Sequence, residues 1–321
     1  VPIYYLITWL RNWLYDKGIK SSKSYDIPII CVGNLSTGGT GKTPMIEYLI
    51  RLLKDEKSIA TLSRGYKRIT EGYVIADHGA TPDTIGDEPY QFYRKFKTIR
   101  VAVDGNRQNG IAQLLSSENK PDVILLDDAY QHRKVKAGLN ILLTAYYNLY
   151  SDDIVLPTGN LREPRSGAKR ANIIVVTKCP TGITENEKDK IAEKLKLAPH
   201  QQLVFSSIDY ADKVISTDLE MPLESLSKFT LVTGIANAKP LVDFLTNKGL
   251  SFNHLEYPDH YSFRPNDIEE LAKKELIITT EKDFVRLADN ENLLPKLFYL
   301  PIEITIDKKD AFDSTIESFV D

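Results

Sequence analysis

Cysteine is almost missing from this chain: 321 residues carry only Cys31 and Cys179. Two thiols cannot build a disulfide framework or a four-ligand zinc site, and a reducing, cytoplasmic setting fits. Cys31 lies in an apolar strand pattern, where a small buried hydrophobe is the expected role. An excess of positive charge is also missing. Forty-one basic side chains meet 44 acidic ones for a net charge of −3, so no global field favours DNA or RNA as a partner. No apolar run reaches the length of a membrane span: residues 1–15, the most apolar stretch near the start, are too few and are interrupted by Arg11. They have neither a basic leader nor a small-residue cleavage site, so a signal peptide is not expected. Internal repeats, heptads and long low-complexity segments are absent too. What remains, 42% hydrophobic and 26% charged, describes a globular chain of one large or two ordinary domains with a sizeable core.

Against these absences stands one dense motif. Ser36-Thr37-Gly38-Gly39-Thr40-Gly41-Lys42-Thr43 follows the apolar run Ile27 to Val32 and precedes a helical pattern opening at Pro44. Glycines let backbone N–H groups turn inward around phosphate oxygens, and the following helix points its N-terminus at the anion. Lys42 is placed for the β- and γ-phosphates and the Thr43 hydroxyl for Mg²⁺. The segment reads as a nucleoside-triphosphate loop, with Ser36 standing where glycine is common.

Strands and helices alternate through the first half. Apolar strands are expected at Ile27 to Val32, Ile59 to Leu62, Ile99 to Val103, Val123 to Leu126, Leu139 to Leu143 and Ile173 to Thr177. Helices are expected at Pro44 to Lys54, Glu88 to Phe96 and Ile111 to Leu115. That alternation predicts an α/β fold with a mostly parallel, P-loop NTPase-like sheet, and ligands at the carboxyl ends of its strands. Tyr210 to Leu226 reads as an irregular linker. A second alternation then predicts a smaller α/β domain: Phe229 to Thr233, Lys239 to Lys248, Ser251 to Tyr257, Pro265 to Lys274 and Leu276 to Thr280. The expected division is 1–25 for an N-terminal helix, 26–210 for the P-loop domain and 211–321 for the smaller domain, which contributes to the cleft. In the N-terminal helix Leu6, Trp9, Leu10 and Trp13 share one face, followed by Lys17, Lys20 and Lys23. Such a face suits either a membrane interface or packing on the chain's own domain.

Outside the loop, several residues are candidates for chemistry. Val123 to Leu126 runs into Asp127-Asp128, the Walker-B arrangement whose carboxylate holds Mg²⁺ directly or through water. Gly86-Asp87-Glu88-Pro89 is either an ordinary capped helix start or an acidic pair divided between metal and an acceptor hydroxyl. Asp104 is the next acid in line. Arg64, Arg107 and the run Leu161-Arg162-Glu163-Pro164-Arg165, with Lys169 and Arg170, are either solvated charge or a grip on an anionic acceptor. His260, in Pro258-Asp259-His260-Tyr261, is either structural or placed to tune a carboxylate when the domains close. His132 follows the acidic pair. The alternative is a nucleotide-dependent switch or chaperone acting on a protein partner; Thr177-Lys178-Cys179-Pro180 lacks the Asp of a guanine-specific signature, which counts against GTP.

Taken in order, these segments resemble the tetraacyldisaccharide 4′-kinase family. The resemblance runs from the aromatic N-terminus through Val32 to Pro44, Ser63-Arg64-Gly65-Tyr66, Gly86-Asp87-Glu88-Pro89 and Leu125 to His132. It continues through Pro157 to Pro164, Pro258 to Phe263 and Thr280-Glu281-Lys282-Asp283. Ser36 is a mark of that family. Ala129-Tyr130 and Thr158-Gly159-Asn160 depart from the residues frequent there. The resemblance implies ATP-dependent phosphorylation of the 4′-hydroxyl of an acylated glucosamine disaccharide 1-phosphate, by a peripheral enzyme on the cytoplasmic face of the bacterial inner membrane. It implies Asp87 paired with His260 in catalysis together with Lys42. Thr43, Glu88, Asp127 and Asp128 would surround Mg²⁺, and Arg64, Tyr66, Arg107, Arg162 and Glu163 would lie near the substrate. No nucleic acid or obligate protein partner is implied.

Overall fold

The computed structural model describes residues 3–217, 219–259 and 261–321. Among them the chain forms two sheets. The larger has nine strands in the order Ile302–Ile306, Gln202–Tyr210, Ile173–Thr177, Leu139–Ala145, Ile29–Asn34, Val123–Asp127, Ile59–Ser63, Arg100–Val103 and Val74–Ile75. Seven neighbouring strands pair in parallel and both edge strands run antiparallel. The central strands are buried along their whole length, which is why they read as unbroken apolar runs rather than as alternation. Ile29–Asn34 sits where the strand order reverses, so its carboxyl end opens into the crevice that such sheets use for ligands.

Helix Lys42–Leu53 begins two residues before the expected Pro44, which falls in its first turn, where a missing N–H costs nothing. It lays Met45, Ile46, Leu49, Ile50 and Leu53 onto one face of the sheet. The helix expected at Ile111 to Leu115 is longer, Arg107–Ser116. Gly110 allows this: a Cβ there would meet Leu62 Cδ1 at 2.8 Å, so glycine permits close helix–sheet contact.

The smaller sheet has the order Glu220–Pro222, Lys213–Ile215, Leu297–Leu300, Ile277–Thr280, Phe229–Thr233 and Phe252–Glu256. Two expectations give way here. Tyr210 to Leu226 is not an irregular linker; it folds into an antiparallel pair at the sheet's edge, with Met221 opposite Val214. The stretch 211–321 is not one unit either. The chain leaves the large sheet at Tyr210 and returns beside it, with Ile302 in register with Tyr210, and helix Lys309–Val320 then packs on the large sheet. Ile306, Phe312, Ile316 and Val320 share the core of Met45 and Ile46. Each such buried side chain contributes about 1.5–3 kcal/mol, so this return is energetically part of the P-loop unit.

Candidate functional site

The phosphate loop is held from three sides. Gly38 and Gly41 take positive φ (100° and 84°), which turns the loop without a Cβ penalty. Thr37 N–H donates to the Asn160 carbonyl at 2.7 Å, and Arg162 N–H donates to the Leu35 carbonyl at 2.7 Å. From the next strand but one, Thr177 Oγ1 donates to the Thr40 carbonyl (2.8 Å) and Lys178 Nζ to the Gly39 carbonyl (2.6 Å). In the sequence, Thr177-Lys178 stands out only for the Asp that does not follow it. Its positive function is structural support for the loop, signalled by a Thr-Lys pair ending a buried strand. Lys178→Met should raise the KM for ATP about tenfold, the loss of one charged hydrogen bond of roughly 1.5 kcal/mol. Steady-state kinetics over ATP concentration check this, and an unchanged KM refutes it.

Asp127 ends its strand beside Val32 in register. It is buried; Ser63 Oγ donates to its Oδ2 at 3.4 Å, while Oδ1 is buried and accepts no hydrogen bond among the described residues. Burial pushes its pKa up to about 7, with the charges of Asp128 and half-buried Glu88 adding to the shift and Lys42 and Arg107 opposing it. A buried carboxylate oxygen without a donor fits a cation in this place. Among the described residues no three or more His, Cys, Asp or Glu side chains cluster for a metal on their own. Mg²⁺ at phosphate sites uses one or two carboxylates plus phosphate oxygens and water.

Asp128 behaves differently from its neighbour. At φ 48° it turns toward Arg162, whose Nη2 and Nη1 reach its oxygens at 2.7 and 3.1 Å, and Lys42 Nζ stands 3.8 Å away. Burial would raise its pKa, but the hydrogen bonds from Arg162 and the charge of Lys42 hold it below the usual carboxylate range. Arg162 also donates to the side chain of Asn34 at the root of the phosphate loop. The expected partner of Asp128 is metal; the geometry gives it two cations in an ion-pair chain linking Lys42 to Arg162.

Two expected substrate contacts lie behind the site instead. Arg107 is buried, donating to the Asp104 carbonyl at 2.7 Å and the Asp127 carbonyl at 3.4 Å. Glu163 is 1% exposed. Its carboxylate accepts from Asn12 Nδ2 (2.5 Å), Gln131 Nε2 (2.9 Å) and Arg170 Nη2 (2.8 Å). Arg64 and Tyr66 are exposed at the end of strand Ile59–Ser63. His132 is a half-exposed ring whose pKa burial, then the charge of Arg107, lowers to about 4, so it stays neutral near pH 7. His260 lies outside the described residues.

Glu163 explains the N-terminal helix, Ile3–Asp16. The helix buries Thr8 and Asn12, its polar face. Asn12 bonds Glu163, Arg11 Nη2 donates to the Gln131 carbonyl at 2.6 Å, and Tyr4 Oη donates to the Arg162 carbonyl at 3.0 Å. Ile3, Leu6, Ile7, Trp9, Leu10 and Trp13 are left exposed at 41–76%. A helix packed by its own apolar stripe would show the reverse.

Asp87 opens helix Asp87–Lys95, with Gly86 before it at φ 94°. Arg286 from helix Glu281–Leu287 donates to Asp87 Oδ2 through Nε at 3.0 Å and Nη2 at 2.5 Å. At the other end of the same helix pair, Gln91 and Lys95 bridge Glu47 of the phosphate-loop helix to Glu281, at 2.6–2.9 Å.

Comparison with known proteins shows the family and the fold. The family described as Tetraacyldisaccharide-1-P 4′-kinase matches residues 2–321. A protein of Flavobacterium johnsoniae named tetraacyldisaccharide 4′-kinase is 54% identical, the alignment covering 99% of this chain and 94% of that one. One of Bacteroides thetaiotaomicron with the same name is 45% identical over 99% and 91%. A crystal structure of LpxK from Aquifex aeolicus in complex with ATP superposes with a TM-score of 0.80 at 30% identity, covering 99% of this chain and 96% of that one. The chain belongs to the tetraacyldisaccharide-1-P 4′-kinase family.

Proposed function

We propose that this chain transfers the γ-phosphoryl group of ATP to the 4′-hydroxyl of a tetraacyldisaccharide 1-phosphate, with Asp87 receiving the hydroxyl proton. The 4′-oxygen attacks the γ-phosphorus in line, the bond to the β,γ-bridging oxygen breaks, and ADP and a 4′-phosphorylated lipid leave. Such transfers pass through a loose transition state, so positioning and charge neutralisation carry most of the catalysis. Loop amides and Lys42 hold the phosphates. Thr43, Asp127 and Glu88 would hold Mg²⁺, which supplies neutralisation of charge on the phosphate oxygens. Arg64 and Tyr66, exposed at a strand end, would meet the acceptor, and Arg162 orders the loop root from which it is reached. Arg107 and Glu163 act from behind as supports.

One observation carries the lipid assignment. The helix that exposes this apolar face is bonded by its other side directly into the supports of the phosphate loop, through Tyr4 to Arg162 and Asn12 to Glu163. A lipid-facing surface and a phosphoryl-transfer site are thereby one structure, suited to an acceptor that sits in a membrane with its sugar hydroxyl exposed. No helix among the described residues is long and apolar enough to cross a membrane, so the helix would lie in the interface, at the inner membrane's cytoplasmic face. Incubation with labelled ATP and the disaccharide lipid in mixed micelles should place label in the lipid. Label in inorganic phosphate alone would overturn the assignment.

The raised pKa of Asp127 has a sign that can be measured. Its folded pKa, about 7, lies above the usual carboxylate value, so the neutral form is favoured without metal, and that contribution to stability is lost as pH rises through 7. Mg²⁺ needs the ionised form, so a proton competes with it below pH 7. Apparent Mg²⁺ affinity in the ATP complex should fall about tenfold per pH unit from pH 6.5 to 5. Asp127→Asn should leave only the shallower slope that protonation of the ATP terminal phosphate imposes. A flat profile in the unsubstituted enzyme would contradict the reading.

A further inference from the structure

We infer that Arg286 is a positioning residue for the proposed catalytic carboxylate, so that the smaller sheet helps to set the geometry of phosphoryl transfer through the Arg286–Asp87 ion pair. The inference rests on the assignment of Asp87 made above and adds to it a residue 199 positions away in sequence.

Arg286 is built to hold one orientation. Its side chain is 10% exposed and its three guanidinium nitrogens divide between two carboxylates. Nε and Nη2 reach Asp87 Oδ2, while Nη1 reaches Asp283 Oδ1 at 3.2 Å. Asp283 is itself fixed. It is fully buried, and its Oδ2 accepts from Gly234 N–H at 2.8 Å and from Thr280 Oγ1 at 2.7 Å. Strand Phe229–Thr233 ends just before Gly234 and strand Ile277–Thr280 ends at Thr280; the two pair in parallel in the centre of the smaller sheet. A continuous line therefore runs from that sheet through Asp283 and Arg286 to Asp87. The Thr280-Glu281-Lys282-Asp283 segment thereby gains a physical role. Thr280 caps the helix, Asp283 anchors Arg286, and Glu281 bonds the far end of Asp87's own helix.

The chemistry needs such a support. A carboxylate at the first position of a helix is free to rotate about χ1 and χ2 unless a partner fixes it. An arginine on one oxygen fixes the carboxylate plane, which aims the group at an acceptor hydroxyl. Because the transition state is loose, aim matters more than basicity. Arg286 touches the carboxylate and not the reacting atoms, so its effect must vanish when Asp87 cannot act as a base.

A double-mutant cycle tests this. Arg286→Ala should lower kcat about 30–100-fold with the KM for ATP within about threefold, in the range seen for misplaced general bases. In an Asp87→Asn background the same substitution should cost less than about threefold, because coupled residues are non-additive. Equal losses in both backgrounds, or no loss in the unsubstituted enzyme, would overturn the inference. Should Arg286→Ala melt early by circular dichroism, Arg286→Lys takes its place. It keeps the charge and one donor, and is expected to cost about three- to tenfold in the unsubstituted enzyme and nothing measurable beside Asp87→Asn. An inactive Asp87→Asn with a fully active Arg286→Ala removes only the role of Arg286. An active Asp87→Asn removes the assignment of Asp87, and with it the basis for this inference.

Discussion

Asp87→Asn will lower kcat by about 10³-fold, within the 10²–10⁴ expected of a general base, while ATP still binds with a Kd within about threefold of normal. The substitution keeps the shape of the side chain and one oxygen for Arg286. It removes the negative charge and the ability to take up a proton. Folding should survive, because Arg286 retains its second carboxylate at Asp283 and the helix retains its packing. ATP affinity should survive because Asp87 heads a different helix from the one that cradles the phosphates. Single-turnover transfer to the lipid, together with equilibrium nucleotide binding, separates the two quantities. Transfer at near-normal rate would eliminate Asp87, and Asp104 would follow as candidate. Asp104 is a weak successor: it is buried, with its oxygens accepting from Asn106 N–H and Asn109 Nδ2.

The second large effect concerns the membrane. Replacing Trp9 and Trp13 together with serine should weaken binding to anionic phosphatidylglycerol–phosphatidylethanolamine vesicles by roughly 10²–10³-fold. Each large apolar side chain contributes about 2 kcal/mol on burial, and 1.4 kcal/mol is tenfold. Both rings are more than 40% exposed, so the folded protein should lose little stability. Vesicle flotation and a thermal melt measure the two sides, and undiminished flotation would refute membrane docking by this face. Deleting the helix is a poorer experiment. Removing Asn12 would take a partner from the buried Glu163, next to the phosphate loop, and damage the site along with the anchor.

What the sequence made legible follows from how local each cause is. The phosphate loop is read directly because its function depends on backbone conformation, which glycines announce. Asp127 is readable because a buried strand ending in acid is a local pattern. The N-terminal helix is readable as amphipathic, but its outward face depends on Asn12 finding Glu163, 151 positions away. Arg107 and Glu163 look like loop charges until the fold buries them. Arg286 carries no local mark of its tie to Asp87, which lies in another unit. Ile302–Ile306 alternates like any edge strand, and nothing near it says that it will pair with a strand a hundred residues earlier.

That last pairing bears on how the protein comes into being. The phosphate-loop helix rests against Phe312, Ile316 and Val320, and Tyr48 Oη donates to Asp313 at 2.6 Å. During synthesis the nucleotide-binding segment leaves the ribosome long before the side chains that seat it. Domains generally fold as units as they emerge. Here the larger unit waits for Ile302–Ile306 and Lys309–Val320, which follow the whole of the smaller sheet. The core beneath the phosphate-loop helix is therefore completed only once helix Lys309–Val320 has been made, and removing that helix should disable the nucleotide site.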